Sequence, residues 1–433
     1  MTDLGFVAST PYASDVHEYR PRVIDAELTD KLRVNGAVLI DGPKAVGKTE
    51  TATQASQTVY RMDVDRNARA ALLADPDQLF DNPTPILFDE WQETPDIWNL
   101  IRRAVDDHDG RGLYLLTGSS RPRDVGRLHS GAGRIGRLRM RPMSLFESGH
   151  SSGDVSLAAL FDGASVSGAK PVPLTVVDLL ERVVVGGWPE TIDMSEQDAR
   201  AWIADYLRNV AEVDVPALGS RRNPGNISRL FTSLARVVGG TLNHTVTAKE
   251  VGGERGPIDA RTLGNYLDAL DRLMLVEPLP PWVSHMRSRT RLRATPVHHF
   301  VDPSIGTLAL GVGAVDLKRD LEAAGFHFES LVLRDLRIYS QALGARLSSW
   351  RDSQLNKEVD AVLELPNGRW AAFEVKLGEA AADQAAEALL SMARKVDTQR
   401  HGEPAALVVV TGGRFSYRRP DGVTLVPISA LGP

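Results

Sequence analysis

The chain has 433 residues, 42% of them hydrophobic and 24% charged, with a formal net charge of -6. By size it holds roughly two to four folded domains, and its modest acidity gives no global attraction to nucleic acid. It has no cysteine, which excludes disulfides, thiolate zinc sites and cysteine nucleophiles and fits a reducing cytoplasm. No signal peptide is evident in Met1 to Ser14, and no apolar run is long enough to span a bilayer. The expectation is a cytoplasmic protein with no membrane partner.

A polar helix is expected near Val23 to Val34. Gly36-Ala37-Val38-Leu39-Ile40 reads as a buried strand, and Glu50 to Tyr60 as a helix. Between them stands Gly42-Pro43-Lys44-Ala45-Val46-Gly47-Lys48-Thr49, followed by Glu50. The spacing G-x-x-x-x-G-K-T, with a strand before and a helix after, is that of a phosphate-binding loop. Backbone N–H groups of such a loop form an anion nest, and the helix start adds its positive end. Lys48 is placed to reach the β- and γ-phosphates of ATP, and Thr49 to hold Mg2+.

Further strands are expected at Arg61 to Asp65, Ile86 to Phe88 and Gly112 to Ser120, with helices at Asn67 to Leu79 and Ile97 to His108. Strands alternating with helices imply a parallel sheet with ligands at the carboxyl ends of its strands. Asp89 and Glu90 close one such strand. Asp89 suits the Mg2+ shell, and Glu90 suits orienting or deprotonating a water. Ser119, or Thr117, is placed to sense the γ-phosphate. An arginine-rich stretch follows, with Arg121, Arg123, Arg127, Arg134, Arg137, Arg139 and Arg141. Arg134, then Arg137, are the candidates for an arginine finger, supplied within the chain or by a neighbouring subunit; surface packing against the sheet is the alternative.

Ser151 to Pro173 is rich in small residues, and Val155 to Phe161 is a possible helix within it. Leu174 to Leu218 reads as helical, broken at Gly186-Gly187-Trp188-Pro189. Helices at Ile227 to Val238, Thr245 to Val251 and Ala260 to Leu273, then a strand at Leu275 to Leu279, give the order of a winged helix-turn-helix. Arg261, Asn265 and Arg272 mark its candidate recognition helix, and Arg287, Arg289, Arg291 and Arg293 a candidate wing along a DNA backbone. A solvated basic loop and an interdomain helix are the alternative. His298 and His299 are adjacent, point to opposite strand faces and read as structural.

The last segment carries a helix over Leu317 to Tyr339, interrupted around Gly325. Strands follow at Arg346 to Arg351, Val359 to Leu365 and Trp370 to Leu377, then a helix at Ala381 to Val396 and a strand at Ala405 to Thr411. Asn367-Gly368 is a hairpin signal. Asp360, Glu374 and Lys376 follow the Asp–spacer–Glu-x-Lys pattern. Strand alternation puts Glu374 and Lys376 on one face, and the hairpin brings Asp360 beside them. Two carboxylates suit Mg2+, and Lys376 suits activating a water for phosphodiester attack. Glu329, on the preceding helix, is a further acid. A charged strand face without chemistry is the alternative.

The loop Gly42 to Thr49, the strands Ile86 to Gln92 and Leu115 to Ser120, Ala132 to Arg137, Pro142 to Glu147 and Gly186-Gly187-Trp188-Pro189-Glu190 together resemble the bacterial and archaeal family of AAA+-like ATPases with a C-terminal restriction-endonuclease-like domain of unknown function. Together with the element order above, the resemblance implies an α/β fold in four parts. These are an AAA+-like P-loop NTPase domain with a parallel sheet over 1–150, a linker and helical segment over 151–225, a winged-helix-like domain over 226–315, and a restriction-endonuclease-like PD-(D/E)xK domain over 316–433. The function expected is a Mg2+-dependent ATPase that binds ATP and couples nucleotide state to a C-terminal half facing double-stranded DNA, with a homo-oligomer as the expected assembly. An ATP-gated DNA nuclease and a nucleotide-switched regulator with an inactive nuclease-like domain are the alternatives.

Overall fold

The fold was read from a computed structural model that describes residues 19–108, 110–119, 131–166, 170–219, 223–282, 295–352 and 357–433. The arginines at 121, 123, 127, 287, 289, 291 and 293 lie outside the described residues.

The first sheet follows from short apolar runs that are hydrophobic on both faces. After α1 (Ile24–Val34), strands β1 (Ala37–Asp41), β2 (Thr58–Arg61), β3 (Ile86–Asp89), β4 (Tyr114–Gly118) and β5 (Ile135–Arg139) form one parallel sheet in the order β2-β3-β4-β1-β5. Helices α2 (Lys48–Gln54), α3 (Arg66–Ala74), α4 (Asp77–Phe80) and α5 (Ile97–His108) connect them. Alternation splits the strands between two cores. Leu39, Phe88, Tyr114 and Leu116 pack with α3 to α5, whereas Val38, Ile40, Leu87, Leu115 and Leu138 pack toward the middle of the chain.

The second strand lies at Thr58–Arg61, earlier than the expected Arg61 to Asp65. Tyr60 stacks on Phe88 of β3, and Asp65 is drawn into capping α3 by accepting from Ala68 N at 2.9 Å. Helix α2 correspondingly ends at Gln54.

Short β6 (Val155–Ser156) and helices α6 (Leu157–Phe161) and α7 (Val176–Val185) share a core with the C-terminal sheet, although the stretch reads as a linker. Helix α8 (Glu196–Asn209), a π-helical turn at Val210–Asp214 and α9 (Val215–Ala217) follow, then α10 (Pro224–Ala235), α11 (His244–Gly252) and α12 (Ala260–Arg272). Helices α8 and α10 to α12 share one apolar core with the inner face of the first sheet. In place of a strand at Leu275 to Leu279 there are isolated bridges, Val276 to Phe300 and Leu279 to Val297; Pro278, Pro280 and Pro281 supply no N–H for a ladder. Arg261 and Asn265 are exposed on α12. Arg272 is buried, so it does not belong to an exposed recognition face.

Helices α13 (Pro303–Leu310) and α14 (Ala314–Arg319) lead into α15 (Leu321–Ala342). The break falls at Asp320, not at Gly325, because the Asp320 carboxylate accepts from Ala323 N at 3.0 Å and caps α15. Strands β7 (Arg346–Asp352), β8 (Lys357–Glu364) and β9 (Trp370–Lys376) form antiparallel neighbours; α16 (Ala382–Ala393) and α17 (Thr398–His401) precede β10 (Ala406–Thr411). With β11 (Tyr417–Arg418) and β12 (Thr424–Pro427) the sheet order is β11-β12-β10-β9-β8-β7, and β13 (Leu431–Gly432) pairs with β6.

Helix α15 is the pillar. Its Arg334, Asp335 and Arg337 are buried. Arg334 bridges Asp302 (3.0 Å) and Asp335 (2.8 Å). Asp302 also accepts from Gly187 N at 2.9 Å, and Asp335 from Leu145 N at 3.0 Å. A Cβ on Gly187 would stand 2.1 Å from the Met143 carbonyl, so only glycine lets that backbone approach. Arg334→Ala strands two carboxylates in the interior. We expect a loss of about 3–5 kcal/mol of unfolding free energy, read as a lower urea midpoint; an unchanged midpoint contradicts this role.

Candidate active site

The phosphate loop turns between β1 and α2 with Ala45 and Gly47 both in the left-handed region (φ 61° and 91°). That backbone aims successive N–H groups inward. Lys48 is buried and folds onto the loop, with Nζ 2.7 Å from Pro43 O and 3.0 Å from Gly42 O. Burial pushes its ammonium down to about 8, while Glu90 and Asp89 oppose the shift. An arriving phosphate gives that ammonium an anionic partner in place of the two carbonyls.

Parallel strands set the acidic pair beside the loop. Asp89 Oδ1 accepts from Thr49 Oγ1 at 2.8 Å and from Thr117 Oγ1. A hydroxyl and a carboxylate oxygen are the hard donors that suit Mg2+, so Thr49 and Asp89 fit the role expected of them; Mg2+ held there would neutralise charge on the β- and γ-phosphate oxygens. Glu90 takes a left-handed conformation (φ 52°, ψ 48°). Its backbone N donates to Thr117 Oγ1 at 3.3 Å, and Ser119 Oγ donates to its Oε2 at 3.3 Å.

These groups line a cavity of about 680 Å3, with Lys44, Lys48, Thr49, Glu50, Glu90, Gln92 and Ser119 on its walls. Asp214, Ala217, Leu218 and Leu273 of the middle segment also line it. Ala217, Leu218 and Leu273 make an apolar wall suited to a flat ring. Asp214 ends the π-helical turn and pairs with Lys44 of the loop at 2.6 Å. No local motif marks these four residues, because they come from segments far along the chain. Arg22 was equally silent in sequence. Its guanidinium donates to Val46 O of the loop (2.8 Å), Arg141 O (2.8 Å) and Glu147 Oε1 (3.0 Å).

Arg134 requires a correction. It immediately precedes β5, whose start pairs with Ala37 at the start of β1, so it lies at the sheet end opposite the loop. There it pairs with Asp106 at 2.7 Å. Arg137, mid-strand, stacks 5.9 Å over the Trp98 ring. Neither lines the cavity, and neither serves as a finger within its own chain.

A second cluster forms in the C-terminal sheet. Asp360 on β8 lies one step beyond the Ala361–Phe373 pair, alongside Glu374 on β9, and accepts from Val375 N at 2.7 Å. Lys376 Nζ is 2.8 Å from Glu374 and 3.8 Å from Asp360. Glu329, on α15, feels all three charges and stands 3.7 Å from His299 Nε2. Burial and Asp360 push the Glu374 carboxyl up to about 9. Burial also raises Glu329 and Asp360, with Lys376 opposing. The oxygens suit Mg2+, but Lys376 spans the acid pair, and among the described residues no group of three or more His, Asp or Glu is disposed to hold a metal ion. Among the described residues no helix is long and apolar enough to cross a membrane.

Comparison with known proteins places an AAA domain over residues 34–148. Two domains of unknown function follow, DUF8612 over 176–316 and DUF4143 over 324–431. Uncharacterized proteins of Mycobacterium tuberculosis and Mycobacterium bovis are each 26% identical over 414 residues, which is 94% of this chain and 83% of theirs. A solved Walker-type ATPase of Pyrococcus abyssi aligns over 67% of this chain and 99% of its own, with 13% identity and a TM-score of 0.41. The AAA match spans the phosphate loop, Asp89, Glu90 and Ser119, and it supports a nucleotide-binding P-loop ATPase.

The Lys44–Asp214 pair lies on the cavity wall, so a nucleotide bound there is expected to compete with Asp214 for Lys44. Asp214→Asn is expected to tighten ATP binding about two- to fivefold by calorimetry. In a Lys44→Ala background the same substitution should do nothing; tightening that persists there contradicts the competition.

Proposed function

We propose that the chain is a Mg2+-dependent ATPase whose nucleotide state is transmitted to its C-terminal half, and that this half faces double-stranded DNA. Lys48 binds the phosphates, Thr49 and Asp89 supply the metal's oxygens, Glu90 orients and deprotonates the water, and Ser119 senses the γ-phosphate. The observation that carries the transmission is a continuous polar chain. It runs from Val46 O through Arg22 to Glu147, which accepts from Ser144 N (2.7 Å); the next residue, Leu145, donates from N to Asp335 on α15. A loop that rearranges around phosphate pulls on this chain directly.

The proposed units are 1–150, 151–225, 226–315 and 316–433; the borders of the matched segments at 148, 316 and 324 support the first and last divisions. Exposed Arg261 and Asn265 on the third helix of a three-helix array support a winged-helix reading and DNA contact. A finger in this reading comes from a neighbouring copy, which is the reason to propose a homo-oligomer.

The helix–three-strand–helix–strand order around Glu329, Asp360, Glu374 and Lys376 favours a second reading, a restriction-endonuclease-like site that cuts DNA under ATP control. Perturbed acids gathered beside a lysine are a common mark of a working site.

The readings separate by assay. Lys48→Ala should cut phosphate release by about a hundredfold; release at the wild-type rate overturns the ATPase reading. Supercoiled plasmid with Mn2+ and ATP should be nicked by wild type and spared by Glu374→Ala. Equal nicking by both removes the nuclease reading and leaves the first intact.

A further inference from the structure

The strand-end acids are followed by a feature that phosphate-loop chemistry leaves unused. Glu90, in its left-handed conformation, reverses the chain into a 3-10 turn at Trp91–Glu93. Trp91 is buried and lies 5.1 Å from the Trp98 ring, which pins the turn. The turn brings Gln92 back against its neighbour but one. Gln92 Nε2 donates to Glu90 Oε2, the oxygen that also receives Ser119 Oγ.

The carboxamide has one workable direction. Reversed, it sets an oxygen against a carboxylate. As it stands, Gln92 Oε1 is buried with no hydrogen-bond partner and lodges against Gly118. A Cβ on Gly118 would come within 2.9 Å of that oxygen and 2.8 Å of Trp91 Nε1. Keeping a buried acceptor unbonded is costly, so a filler side chain is a poor account of this residue. Gln92 also lines the nucleotide cavity beside Glu90.

We propose that Gln92 is a positioning residue for ATP hydrolysis: with Ser119 it holds Glu90 by one oxygen and reserves the other, Oε1, for the attacking water. This rests on the ATPase reading above. In the step it serves, the water oxygen bonds to the γ-phosphorus as the bridging P–O bond to ADP breaks. The bond's electron pair stays on the β-phosphate oxygen, and the water's proton passes to Glu90 Oε1. Without the clamp Glu90 samples other rotamers, and positioning of a base is what sets its efficiency. In this role Gln92 acts on Glu90 rather than on the nucleotide, so nucleotide affinity is expected to hold.

The test is steady-state phosphate release alongside equilibrium binding of a fluorescent ATP analogue, on the full chain with Mg2+. Gln92→Ala should lower kcat about tenfold while the analogue's Kd stays within about twofold of wild type. Gln92→Glu keeps the shape but sets a second carboxylate against Glu90, and should lower kcat at least as far. In a Glu90→Gln background, Gln92→Ala should cost nothing more, because its effect passes through Glu90. Melting curves identify a variant that fails to fold; Gln92→Glu, nearly isosteric, then decides alone. Wild-type kcat in a folded Gln92 variant, or losses that multiply in the double variant, overturns the proposal and spares the ATPase reading. A wild-type chain that binds the analogue but releases no phosphate overturns both.

Discussion

Arg334 carries its charge into the middle of the molecule, and two carboxylates from different segments meet it there. A guanidinium with 2% of its side chain exposed tolerates no loss of partners. Asp335 is its neighbour on α15, but Asp302 must arrive from the loop before α13, and both carboxylates have further duties. Asp302 receives Gly187 N and Ser304 Oγ (2.6 Å); Asp335 receives Leu145 N. Trp188 Nε1 donates to Ser304 Oγ at 3.1 Å. One buried charge thereby fixes four stretches: the segment after β5, the glycine pair before α8, the start of α13 and the long helix. Each is set to within hydrogen-bond distance.

That constraint explains why the phosphate loop is not an isolated device. Pro189, next to Trp188, lies 3.6 Å from where a Cβ on Gly47 would stand, and Arg22 Nη1 lies equally close. Glu147, held through Ser144 beside the Arg334 network, orients Arg22. The loop is gripped from its outer side by residues whose own places are dictated by α15. Two residues before Met143, Arg141 is tied through Glu277 to Arg337 of the same helix, with Arg141–Glu277 at 2.5 Å; these cations hold the Glu277 carboxyl well below the usual range although it is largely shielded from solvent. Gln341 adds bonds to Glu27 (2.8 Å) and Arg139 O (2.9 Å). Helix α15 therefore holds the nucleotide domain through α1, the end of β5 and the segment after it, and carries Glu329 in its first half.

Legibility divided along one physical line. Features whose partners are near in sequence could be read. The phosphate loop is a contiguous eight-residue pattern, α5 shows its apolar face, and Asn367-Gly368 sits in the β8–β9 hairpin. Features made by distant partners could not. Nothing around Asp214 says that it will meet Lys44, and Arg22 looks like any residue before a helix. Local chemistry also misled where two local signals competed. Gly325 reads as a helix breaker, yet the Asp320 cap settles the boundary. Thr58 to Tyr60 reads as the tail of a helix until the sheet edge claims it. The Gln92 clamp lies between these cases: its residues are adjacent, but it depends on the backbone sign at Glu90, which composition does not reveal.

The arginines of β5 show the same limit in its sharpest form. Sequence spacing supplies a row of cations but not the end of the sheet at which each stands. In a parallel sheet, that end decides everything, because the loop, Asp89 and Ser119 all follow strand carboxyl ends. Arg134 precedes β5 and Arg139 ends it, opposite Asp41. Of the two arginines within β5, Arg139 is therefore the one at the loop's end, close enough for its charge to act on Lys48. Its guanidinium donates to Met274 O at 3.3 Å, and its own carbonyl accepts from Gln341. A cation at the correct end is thus committed to the segment after α12 and, through its backbone, to α15. Its position joins the phosphate site to the rest of the molecule, while Arg134, at the far end, is committed to Asp106.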